Sequence, residues 1–323
     1  MKAIRVHALG GPEVLKYDEV PEPTPKAGEA LVRIEAAGVN FIDIYQRIGI
    51  YKLALPITLG LEGAGKVTAV GDGVRDIKVG DRVAWTSVQG AYADLCAIPA
   101  DRLVVLPAGV TTKQGAAVML QGMTAHYLAC STYPLKSGDT CLIHAGAGGV
   151  GLLLTQVAKL RGARVVTTVS TVEKAALSRD AGADHVVLYT EQDFESELKA
   201  FTGGKGAQVV YDSVGQTTVA KSIDCLATRG MLVLFGQSSG VVATVDPLVL
   251  SQKGSLFFTR PTLVHYIATR AELQQRAADL FGWIESGKLR IRTEFDFPLK
   301  NAADAHMALA GRKTTGKVLL IPS

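Results

Sequence analysis

The chain of 323 residues is 48% hydrophobic and 20% charged, which is typical of a globular α/β protein and not of a disordered or fibrous one. Its net charge of +4 comes from 34 basic and 30 acidic residues interleaved along the chain, so no basic stripe for nucleic-acid binding is present. No segment reaches the roughly 18 apolar residues of a membrane span, and we expect a cytoplasmic protein. At about 150 residues per domain, the length predicts two domains.

The first third of the chain has the pattern of a β-rich domain. Residues 30–36 alternate apolar and polar side chains, and residues 65–70 do so less regularly, with glycine-containing turns nearby. We therefore predict an antiparallel, partly closed sheet in this region.

From about residue 135 the pattern changes to short apolar strands separated by helical stretches. Such a repeat predicts a doubly wound parallel sheet of the Rossmann type. The predicted strands are Thr140–His144, Arg164–Val169, His185–Leu188, Val209–Tyr211 and Met231–Phe235.

The last part of the chain leaves this repeat. A predicted helix at residues 271–286 is followed by strand-like segments at 291–297 and 318–321, which we expect to complete the first domain. We thus predict a nucleotide-binding domain at 123–261, inserted into a β-rich domain formed by 1–122 and 262–323.

A GxGxxG motif, Gly146 to Gly151, lies between a predicted strand and a predicted helix. In this context Gly146 permits a tight turn, Gly148 lets the backbone approach a pyrophosphate, and Gly151 permits close packing of helix on strand. The free N–H groups and the positive dipole end of the following helix favour an anion. The motif predicts a dinucleotide site.

The next strand ends at the position where an NAD enzyme usually carries an acidic residue for the ribose. Here it is followed by Ser170, Thr171 and Lys174, whose hydroxyls and ammonium suit a 2′-phosphate. We therefore predict NADPH as the cofactor. Two later strand ends, with Ser213 and with Phe235, Gly236, Gln237 and Ser238, are predicted to line the ribose and nicotinamide, although ordinary turn chemistry is an alternative.

The chain resembles the quinone oxidoreductase and ζ-crystallin family over almost its whole length. The signature-like segment is residues 138–151, followed by Gln156 and Lys159. Further segments resemble segments of the family and occur in the same order along the chain: 38–45, 60–65, 79–83, 121–125, 211–215 and 259–261.

This resemblance implies a medium-chain dehydrogenase/reductase: a β-rich GroES-like catalytic domain and a Rossmann domain, paired as a homodimer through the nucleotide-binding domains. It also implies cofactor contacts that the motif alone does not predict. These are Asn40, Phe41, Ile42, Asp43, Tyr45, Tyr127, Gly149, Val150, Tyr189 and Arg312.

The resemblance further indicates that the chain is zinc-free. Related zinc alcohol dehydrogenases have a cysteine where this chain has Asn40 and a histidine where it has Leu61, and an amide with a leucine cannot replace a thiolate with an imidazole. Without a Lewis acid we expect an acceptor that is already activated. We predict an NADPH-dependent quinone reductase that binds the quinone in the interdomain cleft.

Two other functions stay open at this point: reduction of conjugated enones or 2-alkenals, and a non-catalytic, crystallin-like or RNA-binding role. Candidate catalytic residues are Asn40, Tyr45 and Tyr51, whose amide and phenol groups are donors for a carbonyl oxygen. The four cysteines and six histidines lack metal-ligand spacing, so we interpret them as structural.

Overall fold

The computed structural model describes residues 1–322, and its chain divides into two compact units. The first unit contains Met1–Met123 and the described residues from Ile267 onward, and the second contains Thr124–Tyr266. The segment after residue 261 stays with the second unit as far as Tyr266, because the Tyr266 ring stacks on Tyr127 with centroids 4.3 Å apart.

The first unit is built on two sheets. A three-stranded sheet has the order β2-β1-β4, with β1 at Lys2–Val6, β2 at Leu15–Glu19 and β4 at Ile57–Thr58. A seven-stranded sheet has the order β15-β16-β3-β5-β6-β8, with β7 also paired to β3. Its strands are β3 Glu29–Val39, β5 Glu62–Val70, β6 Arg82–Thr86, β7 Leu95–Pro99, β8 Val104–Val105, β15 Phe295–Pro298 and β16 Val318–Ile321.

The larger sheet is antiparallel apart from the β15–β16 pair, as the alternation along β3 and β5 predicts. The two C-terminal segments do join this sheet, since β16 pairs with β3. The first of them begins at Phe295 and not at residue 291. One face of the sheet covers an apolar core whose largest fully buried side chains include Trp85, Ile98 and Leu103.

Five helices accompany these sheets, of which α3 crosses into the second unit. They are α1 Phe41–Arg47, α2 Thr112–Val118, α3 Gln121–Tyr127, α9 Arg270–Glu285 and α10 Ala302–Ala310. Capping boxes at Thr111 and Thr269 fix the starts of α2 and α9, because each hydroxyl accepts the N–H of a residue three positions later.

The second unit is a six-stranded parallel sheet with helices between its strands. The strand order β11-β10-β9-β12-β13-β14 is that of a doubly wound dinucleotide-binding fold. The strands are β9 Thr140–His144, β10 Arg164–Val169, β11 His185–Leu188, β12 Ala207–Asp212, β13 Leu226–Leu234 and β14 Phe257–Thr259. The helices are α4 Gly149–Leu160, α5 Val172–Asp180, α6 Phe194–Thr202, α7 Val219–Asp224 and α8 Pro247–Gln252.

The predicted Rossmann sheet is therefore confirmed. β9, β10 and β11 have the predicted bounds, because each is a short apolar run between turn residues. β13 begins earlier than predicted, at Leu226, and ends at Leu234, although the N–H of the next residue, Phe235, still donates to the Asp212 carbonyl of β12. Among residues 1–322, no helix is both long and apolar enough to cross a membrane.

Candidate active site

The glycine-rich loop of the second unit connects β9 to α4. Gly148 precedes α4 with an extended backbone, and no side chain caps this helix end. A Cβ atom on Gly151 would lie 2.3 Å from the Ala145 carbonyl oxygen, and one on Gly146 would lie 2.5 Å from Cβ of Thr167. The glycines therefore permit the loop to pack closely against the start of α4 and against β10. The N–H groups at the N-terminus of α4 are available to bind an anion such as a pyrophosphate. The loop fits a dinucleotide.

A buried hydrogen-bond network lies immediately before this loop. His144, the last residue of β9, bonds to the Thr168 hydroxyl at 2.9 Å through Nδ1 and to the Ser222 hydroxyl at 3.0 Å through Nε2. Because Ser222 donates to Asp212, its oxygen accepts from Nε2–H and the Thr168 hydroxyl donates to Nδ1. Burial lowers the pKa of His144 and keeps its ring neutral. The network joins the carboxyl ends of β9, β10 and β12.

Asp212 also shapes the turn that follows β12. Its Oδ1 accepts the N–H groups of Val214 at 2.8 Å and Gly215 at 2.9 Å. The carbonyl oxygen of Ser213 accepts the N–H of Ser238 at 3.1 Å. The structure thus brings together the predicted cofactor residues that follow β12 and β13.

Arg260 holds the segment after β13 in place. Its guanidinium donates to the carbonyl oxygens of Leu234 at 3.1 Å and Gly236 at 3.2 Å, and to Oε1 of Gln237 at 2.8 Å. Arg260 lies in a segment that resembles the family, but it was not among the predicted site residues. No local pattern indicates that an arginine 23 positions later fixes a turn.

The residues predicted to bind a 2′-phosphate lie together after β10. The Lys174 ammonium bonds to the Ser170 hydroxyl at 3.3 Å, and Thr171 caps α5 by accepting the N–H of Lys174. Glu173 is exposed, and the bond from Thr171 lowers the pKa of its carboxyl. Tyr189, at the end of the neighbouring strand β11, donates its N–H to the Val169 carbonyl.

Two further residues that are expected to contact the cofactor belong to different units. Tyr127 is buried in the second unit against Tyr266. Arg312 belongs to the first unit, where it follows α10, is exposed and has a left-handed backbone with φ of 57°.

Asn40 precedes α1 and is buried in a polar cluster of the first unit. The Lys317 ammonium, which can only donate, bonds to Asn40 Oδ1 at 2.9 Å, and the Gln121 amide donates to the same oxygen at 3.1 Å. This fixes the orientation of the amide. Its Nδ2 donates to Glu62 at 3.0 Å and to the Gly38 carbonyl at 3.3 Å, so both amide hydrogens are engaged.

The ion pair between Lys317 and Glu62 completes this cluster. Both side chains are buried, and the second Glu62 oxygen accepts the N–H of Leu120 at 2.6 Å. Burial lowers the pKa of Lys317, while the Glu62 carboxylate opposes this shift. Among residues 1–322, no group of three or more His, Cys, Asp or Glu side chains is arranged to hold a metal ion.

The candidate tyrosines lie on α1 and in the loop that follows it. The rings of Tyr45 and Tyr51 meet edge to face with centroids 5.9 Å apart. The N–H groups of Ile50 and Tyr51 both donate to the Tyr45 carbonyl, which ties the loop to the helix. Tyr45 is nearly buried, whereas Tyr51 is 41% exposed. Phe41 and Ile42 are partly exposed at the start of α1, and Asp43 is completely buried.

Two family models match the chain, one for each kind of domain. The model described as the alcohol dehydrogenase GroES-like domain matches residues 26–133. The model described as zinc-binding dehydrogenase matches residues 149–283.

Individual relatives match over the full length. The chain is 49% identical to a quinone oxidoreductase of Pseudomonas aeruginosa, with 99% of both chains covered. It is 42% identical to a 2-haloacrylate reductase of a Burkholderia species, with 98% of both covered. A crystal structure of the Escherichia coli quinone oxidoreductase in complex with NADPH superposes with a TM-score of 0.98 at 46% identity, and covers 100% of both chains.

Proposed function

Since the chain belongs to the quinone oxidoreductase family of medium-chain dehydrogenases/reductases, we propose that it is an NADPH-dependent quinone reductase. The observation that carries the proposal is the uncapped N-terminus of α4 behind the glycine loop, which offers its N–H groups to a pyrophosphate. When bound, NADPH supplies a hydride. The remaining functions belong to the residues of the chain: binding, orientation and exclusion of water.

For the cofactor, we propose that Gly146 to Gly151 hold the pyrophosphate and that Ser170, Thr171 and Lys174 hold the 2′-phosphate. A lysine bonded to a serine hydroxyl, with Glu173 exposed and bonded to Thr171, supports NADPH over NADH. The contacts expected from Asn40 to Tyr45, Tyr127, Tyr189, Ser213, Phe235 to Ser238 and Arg312 stay proposals.

For the substrate, we propose that Tyr45 and Tyr51 contact the acceptor. We propose that Asn40, which directly precedes α1, positions this helix and the loop that follows it. The amide hydrogens of Asn40 are engaged, whereas within residues 1–322 the Tyr51 hydroxyl has no hydrogen-bond partner and its ring is partly exposed. We expect Tyr51→Phe to lower kcat for a quinone and to leave the Kd for NADPH unchanged. An unchanged kcat would remove Tyr51 from the proposal.

A conjugated acid or enone is a second candidate substrate, because a 2-haloacrylate reductase is similar to this chain along its whole length. NADPH oxidation is to be measured with para-quinones, ortho-quinones, 2-alkenals and 2-haloacrylates in parallel. We expect the highest kcat/KM with a quinone. Negligible quinone turnover would overturn the first candidate, and NADPH binding without oxidation of any acceptor would favour a binding-only role.

We also propose that the enzyme works without zinc. The position of a zinc-ligand cysteine in related dehydrogenases is occupied by Asn40, whose side-chain oxygen is already bound to an ammonium group. Elemental analysis of active protein is expected to find no stoichiometric zinc. A 1:1 zinc content that correlates with activity would contradict this.

We propose a cytoplasmic homodimer joined at the edge of the second unit's sheet. The edge strand β14 carries Phe257, which is 56% exposed, and Val241, Leu248 and Val264 are also exposed in this unit. Analytical ultracentrifugation is expected to find a dimer that Phe257→Glu converts to a monomer. Leu160→Glu, at another exposed apolar residue, is the control and is expected to stay dimeric; a dimeric Phe257→Glu would refute this interface.

The four free cysteines support the proposed cytoplasmic location, because thiols stay reduced in that compartment.

A further inference from the structure

Two residues of α1, one helical turn apart, are connected to each other through side chains from two other parts of the first unit. Asp43 Oδ2 accepts the Tyr92 hydroxyl at 2.9 Å. Tyr92 in turn bonds to His306 Nε2 at 3.2 Å, and His306 Nδ1 bonds to Arg47 at 3.1 Å. Since Asp43 and Arg47 both belong to α1, the four side chains form a closed ring, which we call the α1 ring.

The hydrogens of the α1 ring have one consistent direction. Arg47 has no acceptor, so it donates to His306 Nδ1, and the single hydrogen of the neutral imidazole is on Nε2. Burial, with the Arg47 charge beside it, lowers the pKa of His306 to about 3, which keeps the imidazole neutral. Nε2–H then donates to the Tyr92 oxygen, which leaves the Tyr92 hydrogen for Asp43. Reversal of this direction is excluded, because Arg47 cannot accept.

All four members of the α1 ring are buried. Asp43 Oδ2 also accepts the N–H of Asn40 at 2.8 Å, while Nε of Arg47 donates to the Gly10 carbonyl at 3.2 Å. The other Asp43 oxygen is buried and, in the described part of the chain, has no hydrogen-bond partner. The ring therefore joins the third and the last residue of the seven-residue helix α1, whose fifth residue is Tyr45.

We propose that Asp43, Tyr92, His306 and Arg47 are positioning residues for the reduction reaction, because the α1 ring fixes the helix that presents Tyr45. This inference rests on the proposed function. The ring acts through its ionised form, in which the Asp43 carboxylate accepts both the Tyr92 hydroxyl and the Asn40 N–H. Burial raises the pKa of Asp43 to about 7, although Tyr92, the Asn40 N–H and Lys317 lower it, and Glu62 raises it further. Burial lowers the pKa of Arg47, and the charge of the Glu13 carboxylate opposes this shift.

The test compares Tyr92→Phe, which removes one hydroxyl, with the core variant Ile98→Val, which removes one buried methyl group of the same unit. Kinetics with NADPH and a para-quinone are to be followed from pH 5 to 9. In the wild type, kcat is expected to rise through about pH 7 as Asp43 ionises. Tyr92→Phe is expected to lower the plateau about tenfold to hundredfold and to move the rise to higher pH, because the carboxylate loses a donor. Ile98→Val is expected to lower Tm without moving the rise.

A readout independent of turnover follows Asp43 itself. Infrared difference spectra between pH 5 and 9 are expected to show the C=O band of a protonated carboxyl group, which is absent in Asp43→Asn and has a higher midpoint pH in Tyr92→Phe. An unchanged midpoint in Tyr92→Phe, or a kcat profile that superposes on the wild-type profile, would overturn the inference. If no acceptor is reduced by the wild type, the proposed function fails instead, while the infrared titration still reports on the ring.

A second pair of variants keeps the test decisive if Tyr92→Phe does not fold. His306→Gln retains an acceptor for Arg47 and a donor for Tyr92, whereas His306→Leu retains neither. We expect His306→Gln to keep at least a third of the wild-type kcat and His306→Leu to lose it as Tyr92→Phe does. Equal kcat values in the two variants would contradict a positioning role for the ring.

Discussion

The Lys317 ammonium donates to the side-chain oxygen of Asn40 at 2.9 Å, although 277 positions separate the two residues in the chain. The same ammonium pairs with Glu62, so one buried cation fixes an amide and neutralises a carboxylate. Removal of the cation would leave a buried, unpaired charge.

We therefore predict that Lys317→Met lowers the free energy of unfolding by about 3–5 kcal/mol. Urea denaturation measures the loss. The control is Lys113→Met, which breaks the partly exposed ion pair with Asp296 and is expected to change stability by less than about 1 kcal/mol. Similar losses in both variants would mean that the buried cluster is not the cause.

Stability is predicted to depend on pH through Asp43. The pKa of this group is raised from 3.8 to about 7 by burial, so its contribution is full below pH 4 and is lost as pH rises through 7. Relative to Asp43→Asn, the wild type is expected to lose up to about 4 kcal/mol over this interval, measured by urea denaturation at each pH. Glu272→Gln provides a control with the opposite pH dependence of stability. Because bonds from Thr269 lower the pKa of Glu272, the contribution of this group is lost as pH falls.

Cofactor preference is predicted to depend on Lys174. Loss of a charge-assisted hydrogen bond to the 2′-phosphate costs about 1.5–3 kcal/mol, so Lys174→Ala is expected to reduce the NADPH/NADH ratio of kcat/KM by at least about tenfold. Lys199→Ala, at an exposed lysine paired with Glu195, is the matched control and is expected to keep the ratio. An unchanged ratio in Lys174→Ala would refute the assignment of the 2′-phosphate site.

Gly151→Ala is predicted to weaken NADPH binding. The new Cβ would lie 2.3 Å from the Ala145 carbonyl, so the loop and α4 must move apart, at about 1–3 kcal/mol of stability. Isothermal titration is expected to give a Kd for NADPH at least about tenfold higher. In contrast, Gly282→Ala meets no atom within 4 Å and is expected to stabilise α9 by about 0.5–1 kcal/mol without effect on the Kd. Normal NADPH binding by Gly151→Ala would contradict the proposed role of the loop.

The elements that the sequence predicts well are those with a local signal. β9 and β10 are short apolar runs bounded by turns, and the glycine loop joins β9 to α4. Strands such as β4 and β8 have two residues each, too few to show a period of two. The domain limits expected after residues 122 and 261 stay a prediction.

The site is less predictable, because its contacts join distant parts of the chain. The residue type shows that the Asn40 amide is able to donate. Its side-chain oxygen accepts from Lys317 and Gln121, and no sequence pattern indicates that these two residues lie beside it. Asp43 accepts a hydrogen bond from Tyr92 of a distant segment, and Tyr92 in turn bonds to His306 on α10. A sequence identifies side chains that are able to bond, whereas their partners are set by tertiary packing.

The insertion of residues 124–266 between two parts of the first unit has a consequence for biosynthesis. During translation the inserted Rossmann sheet emerges as one contiguous segment and is expected to fold early. The first unit must wait, because β16 completes its larger sheet and Lys317, the cation that pairs with Glu62, lies directly before that strand. Ribosome-bound chains that stop short of residue 317 are thus expected to carry a protease-resistant second unit and a protease-sensitive first one.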